Sequence, residues 1–199
     1  MRDRKIRGFS LLEMAAVLAI GMTAAGITFI SLQPALKQQR IVNGYNLTLM
    51  TIRRAREAAV SEQRVYLVTF TASTNTTTIT QVSTNVVTAS AALPTDMAFR
   101  NEPGIPNTTS TTPDGFGTGA RAIDFDQGVG AGGTNTIYFY PDGTARDVNG
   151  IINNGVLYMS RPGDLMSSRA ITVWGLTGRI RGWRLYTNTS AGTNYWSQQ

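Results

Sequence analysis

The sequence predicts an α+β protein: a long N-terminal helix followed by an antiparallel, β-rich globular part. Three observations carry that reading. Met14 to Leu32 are nineteen consecutive residues without a charge, residues 41–59 repeat apolar side chains at three- and four-residue spacing, and from Val65 onward the period becomes strand-like. With 199 residues the chain can bury one real core and a short second element.

The chain contains no Cys and no His. That excludes a disulfide framework, a zinc cluster and a thiol nucleophile, and it removes the commonest general base and metal ligand. Carboxylate chemistry would need a cleft that no motif announces, so the expectation is a protein that is not an enzyme and takes no cofactor and no metal. The chain carries 18 Lys+Arg against 12 Asp+Glu, a net charge of +6. Arg2, Arg4, Lys5 and Arg7 against Asp3 put half of that excess in residues 1–8. Residues 71–160 are acidic, whereas residues 161–199 hold five Arg against Asp164.

At about 1.5 Å rise per residue, a helix over Met14–Leu32 spans roughly the 30 Å hydrocarbon core of a bilayer. The basic N-terminal side predicts that residues 1–8 stay cytoplasmic and the remainder faces outward. A cleaved secretory signal is the competing reading, with Thr23-Ala24-Ala25 as its cleavage site. Gly8, which closes the basic stretch, and Glu13, which lies in the first turns of the apolar run, argue against it. A carboxylate in hydrocarbon costs several kcal/mol unless paired, so Glu13 is either a functional group or idle at headgroup level.

Gly8-Phe9-Ser10-Leu11-Leu12-Glu13 resembles the prepilin peptidase site of type IV pilins and pseudopilins. The resemblance implies cleavage between Gly8 and Phe9 by a membrane prepilin peptidase, N-methylation of Phe9, and pairing of Glu13 with the N-terminal ammonium of a neighbouring subunit. It divides the chain into a leader (1–8), a transmembrane and filament-core helix (9–36) and a periplasmic globular domain (37–199).

Beyond the span the helix is expected to continue, with Pro34 as a potential kink. Ile41, Tyr45, Leu49, Ile52, Ala55 and Ala59 form an apolar stripe, with Asn43, Asn46, Arg53, Glu57 and Ser61 on the other side. Arg53, Arg54, Arg56 and Arg64 read as a solvated face in preference to a nucleic-acid patch. Val65–Phe70 and the Thr-rich residues 71–90 read as antiparallel strands, and residues 101–120 as a long surface loop. Further strands are expected at Ile137–Tyr140, before a Pro141-Asp142-Gly143 turn, around Leu157, at Ala170–Trp174, and last at Arg179–Tyr186.

Three segments narrow the resemblance. Ala55-Arg56-Glu57-Ala58-Ala59-Val60, Phe139-Tyr140-Pro141-Asp142-Gly143-Thr144 and Gly178-Arg179-Ile180-Arg181 are similar to landmarks of the GspH/FimT pseudopilins. That family implies a pilin-like fold, a long helix packed on an antiparallel β-sandwich-like domain.

The glycine-rich runs 115–119 and 128–133 lack the Gly-Lys-Ser/Thr and the following helix of a phosphate loop, and read as plain loops. Asp124 and Asp126, on one side of a strand, read as a solvated edge in preference to a calcium site. Arg179 and Arg181, two apart on a strand, project to one side, with Trp183, Arg184 and Tyr186 close in sequence. In the FimT-like branch the Gly-Arg-x-Arg motif is associated with DNA binding, which makes Gly178, Arg179, Arg181 and Arg184 candidate DNA-binding residues. The alternative is a structural role in the last hairpin or in contacts with other subunits. The function implied is a GspH-like minor pseudopilin of a type II secretion pseudopilus, anchored in the inner membrane, with other pilins and secreted cargo as partners. The other implied function is a FimT-like minor type IV pilin that captures DNA.

Overall fold

The structure is a computed structural model that describes residues 10–108, 110–117, 121–127 and 135–199, without the side chains of residues 30, 126 and 127. Two units divide after Gln39, and one helix, α1 (Leu11–Glu62), runs through both.

In the first unit α1 begins at a serine cap. Ser10 Oγ accepts the Glu13 N–H at 3.1 Å and the Ser10 carbonyl accepts the Met14 N–H, the Ser-x-x-Glu arrangement that satisfies orphan donors of a helix start. This segment is long and apolar enough to cross a membrane. Its hydroxyls are bonded within the helix: Thr23 to the Ala19 and Ile20 carbonyls, Thr28 to Ala24 and Ser31 to Thr28. A hydrocarbon environment demands such internal satisfaction. Pro34 lies inside the helix, which continues through it.

In the second unit, Arg40–Gln199, α1 buries the stripe expected of it: Ile41, Tyr45, Leu49, Ile52, Ala55 and Ala59 are all buried. Full burial of a side chain such as Ile52 contributes about 1.5–3 kcal/mol. Gln63 ends the helix in the left-handed region (φ 53°), and the Arg64 N–H returns to the Ala59 carbonyl at 3.2 Å, a Schellman-type closure.

Among the described residues ten strands form two antiparallel sheets. Sheet 1 has the order β3-β2-β1-β5-β6, from β1 (Tyr66–Thr71), β2 (Thr76–Gln81), β3 (Val86–Ala92), β5 (Thr136–Phe139) and β6 (Ala145–Arg146). Sheet 2 has the order β10-β9-β8-β7-β4, from β4 (Ile123–Gln127), β7 (Asn154–Arg161), β8 (Asp164–Trp174), β9 (Arg179–Asn188) and β10 (Thr193–Gln198). The main core joins the helix stripe to Val68, Phe70 and Ile137 of sheet 1 and to Phe125, Leu157, Met159, Ile171 and Val173 of sheet 2. Phe70 stacks on Phe125, with ring centroids 5.2 Å apart. The expected α+β architecture is therefore present, a long helix packed on antiparallel sheets.

Two expectations change. The described part of residues 101–120, namely 101–108 and 110–117, is not a bare surface loop: Ile105 and Phe116 are buried in a second core with Val156, Tyr158, Ala170, Leu185 and Trp196 on the other face of sheet 2. The segment covers that sheet, and a Ser160–Glu102 hydrogen bond (3.2 Å) tethers it. The strand series also does not end at Tyr186. β10 follows, pairing Thr193–Gln198 with Asn188–Trp183.

Candidate functional site

The three segments that carried the family resemblance meet in the second unit. Arg56, on the helix, donates from Nε to the Gly143 carbonyl (3.2 Å) and from Nη2 to the Thr177 carbonyl (3.1 Å). It is half-buried and bridges two turns, so the expected solvated face does not include Arg56. Gly178 (φ 58°) lies so near the Gly143 carbonyl oxygen and Arg56 Nε that a Cβ there would collide with both. The Gly143 turn is held by Asp142, whose Oδ1 accepts the Thr144 N–H (2.9 Å) and hydroxyl (2.6 Å) and whose Oδ2 pairs with Arg146 (2.6 Å). The Thr144 hydrogen bonds, with Arg146 secondary, hold the Asp142 carboxyl below the usual carboxylate range. Beside this node is a cleft of about 310 Å³ lined by Arg53, Arg56, Glu57, Thr177, Gly178, Arg179 and Ile180.

Along β9 the side chains alternate between the face of sheet 2 toward α1 and the face toward the second core. Gly182 turns toward α1, where Tyr45 occupies the space a Cβ would need. Burial raises the Tyr45 phenol pKa. Arg181 turns to the opposite face and pairs with the buried Asp114, a residue of the 113–115 turn with φ 53°. Asp114 also accepts the Thr172 hydroxyl, and Thr172 Oγ1 accepts Trp183 Nε1 at 3.0 Å. Arg179 shares the Arg181 face and is exposed.

Arg184 does not join Arg179 and Arg181. It falls on the helix-side face with Gly182, its guanidinium 5.0 Å from the Tyr186 ring and its strand position opposite Arg169. Arg169 is only 2% exposed and donates Nη1 to the carbonyls of Met166, Ser167 and Ser168. Burial, with the Arg184 charge second, pulls its pKa down to about 10.

The other expected sites are placed as follows. Gly8 and Phe9 lie outside the described residues. Glu13 is exposed at the third position of α1, where its backbone N–H is capped by Ser10. Asp124 is buried, so it is not on a solvated strand edge even though β4 is an edge strand; its Oδ2 lies near the Cβ position of Gly117. The Asp126 side chain and residues 118–120 and 128–134, which include most of the glycine-rich runs, lie outside the described residues. No group of three or more His, Cys, Asp or Glu arranged to hold a metal occurs among the described residues. Sequence reading missed Ser10, Asp114 and Tyr45 as site-building groups. Ser10 had a signal, the Ser-x-x-Glu spacing; Asp114 is 67 residues from its partner and had none.

Residues 3–29 match the family described as the Prokaryotic N-terminal methylation motif. No curated protein matches the chain. Among solved structures, it is similar to the minor pseudopilin EpsH from the Type 2 Secretion System of Vibrio cholerae, at 10% identity and a TM-score of 0.34. That likeness covers 79% of this chain and 94% of the other.

Proposed function

We propose, from a chain that carries the prokaryotic N-terminal methylation motif ahead of a pilin-like α+β fold, that the protein is a filament subunit of the minor pseudopilin kind. In this reading a prepilin peptidase cuts between Gly8 and Phe9 and Phe9 is N-methylated. Residues 9–36 anchor the subunit in the inner membrane, and residues 37–199 form the periplasmic part. The protein contributes structure and binding, with no catalysis of its own. The observation that carries it is the motif over residues 3–29, which overlaps a helix uncharged from Met14 to Leu32 whose hydroxyls bond internally. Terminal sequencing and intact mass of the mature protein test it. A methylated Phe9 terminus is expected, and a terminus near Gly26 overturns the reading in favour of a secretory signal.

Within that kind, we place the protein with the GspH-like subunits of type II secretion, where it would support pseudopilus assembly and contact secreted cargo. A second reading, a FimT-like pilin that captures DNA, is favoured by one observation: Arg53 of α1 and Arg179 of β9 line the same cleft, beside Arg56. Forked guanidiniums suit phosphates, and such binding would fall steeply with salt. Gel shifts of the chain with duplex DNA at two salt concentrations decide between the two readings; no shift at low salt removes the second.

A further inference from the structure

We propose that the free edge of β3 is a self-association edge, which pairs antiparallel with β3 of a second copy to make one sheet across two chains. Between Arg64 and Asp96 the sequence holds no charged residue, so the entire β1-β2-β3 meander is neutral. β3 ends its sheet with β2 as its neighbour, and its other side is unpaired among the described residues. Natural edge strands are blunted with Lys, Pro, inward charges or a covering element. Val86–Ala92 has none of these side chains, and Val82, Val86 and Val87 at the β2–β3 hairpin are 44–57% exposed.

One protective device is present, and it locates the pairing. Ile79 faces Ala89 but Thr80 faces Val87, which leaves Thr88 as a bulge with its hydroxyl on the Ile79 carbonyl (3.3 Å). The uninterrupted edge is therefore Ala89-Ser90-Ala91-Ala92, four small side chains that let a second backbone approach closely. The edge runs into an apolar groove of about 520 Å³ lined by Leu47, Met50, Ala92, Leu93 and Pro94, among others, which is continuous with it.

Charge argues that the occupant is a second copy. No charged side chain falls in residues 65–95, so two copies of this edge meet without bringing like charges together, and the edge offers a charged peptide no complementary group. The inference does not depend on leader cleavage or on the filament reading.

The native chain has no Cys, so each introduced thiol is unique. The test oxidises the whole detergent-solubilised chain carrying Ser90→Cys, with Thr193→Cys, exposed on β10, an edge strand of the other sheet, as control. Disulfide dimers are expected from Ser90→Cys at a rate at least roughly tenfold above the control, as a preformed pair raises the local thiol concentration. Adding Ala92→Lys, at an exposed position, should abolish them, and Ala92→Ser should keep them. Unchanged thermal melting establishes that each variant is folded. Equal rates from both edges, dimers insensitive to Ala92→Lys, or a chain that stays monomeric at every concentration overturns the proposal; the last leaves the edge to a strand of a different protein.

Discussion

The Tyr45 side chain occupies the space that a Cβ on residue 182 would need, so Gly182 is the opening in β9 through which α1 docks on sheet 2. Two positions 137 residues apart thereby fix the height of the helix on the sheet. Gly182→Ala should destabilise the folded part by about 1–3 kcal/mol or more, the usual range for overpacking a core. Tyr45→Phe in the same background removes the colliding oxygen and should recover part of the loss. Thermal melts of the single and double variants check this.

Arg56 should be irreplaceable by lysine. Its Nε and Nη2 reach two carbonyls in different turns, Gly143 and Thr177, and an ammonium has no fork to do so. Arg56→Gln and Arg56→Lys should each cost about 1–3 kcal/mol. Equal stability of the Lys variant and the parent would count against the bridge.

The two arginines on one face of β9 should separate in their effects. Arg181→Gln leaves the Asp114 carboxylate buried without its cation and should cost roughly 3 kcal/mol, the low end for a broken buried pair. Arg179→Gln, on an exposed side chain, should change stability by no more than about 0.5 kcal/mol. If the DNA reading holds, Arg179→Gln and Arg53→Gln weaken binding and flatten its salt dependence, both read from gel shifts.

Glu13→Gln should leave membrane insertion and leader cleavage intact and reduce incorporation into filaments, because the amide keeps the shape and loses the charge that needs a partner. Quantitative mass spectrometry of purified filaments checks this; parental incorporation counts against pairing between subunits.

The Asp142 turn should be acid-sensitive. Its carboxyl pKa is lowered, chiefly by Thr144, so its contribution to stability is complete above the ordinary carboxylate value. It is lost as pH falls through the depressed value. Thr144→Val should move the Asp142 titration, followed by carboxyl NMR, upward toward that of a free aspartate.

Periodicity made the local elements legible. The helix stripe from Ile41 to Ala59, β1, β5, β8 and β9 follow from spacing and β-branched content, because each side faces one kind of environment. β10 was not legible: Thr-Asn-Tyr-Trp-Ser-Gln carries one buried side chain, Trp196, whose burial depends on Tyr158 of a distant strand. Nor was the second core, because the Pro/Gly/Thr composition of residues 101–117 gives no sign that Ile105 and Phe116 turn inward. In the candidate site Gly178, Arg179 and Arg181 were legible as a motif, but their division of labour was not. It depends on Asp114 and Arg56, which pair through the fold and not through local spacing.

Sheet 2 carries a core on each face, and the six inner residues of β7 have no solvent side at all. Amide protons along β7 and β8 can therefore exchange with deuterium only when the whole domain opens, while those of the neutral β2–β3 hairpin exchange through local fraying. The molecule thus holds a slow-exchanging centre and a fast-exchanging rim, and the rim is where it can adapt to a neighbour without loosening its interior.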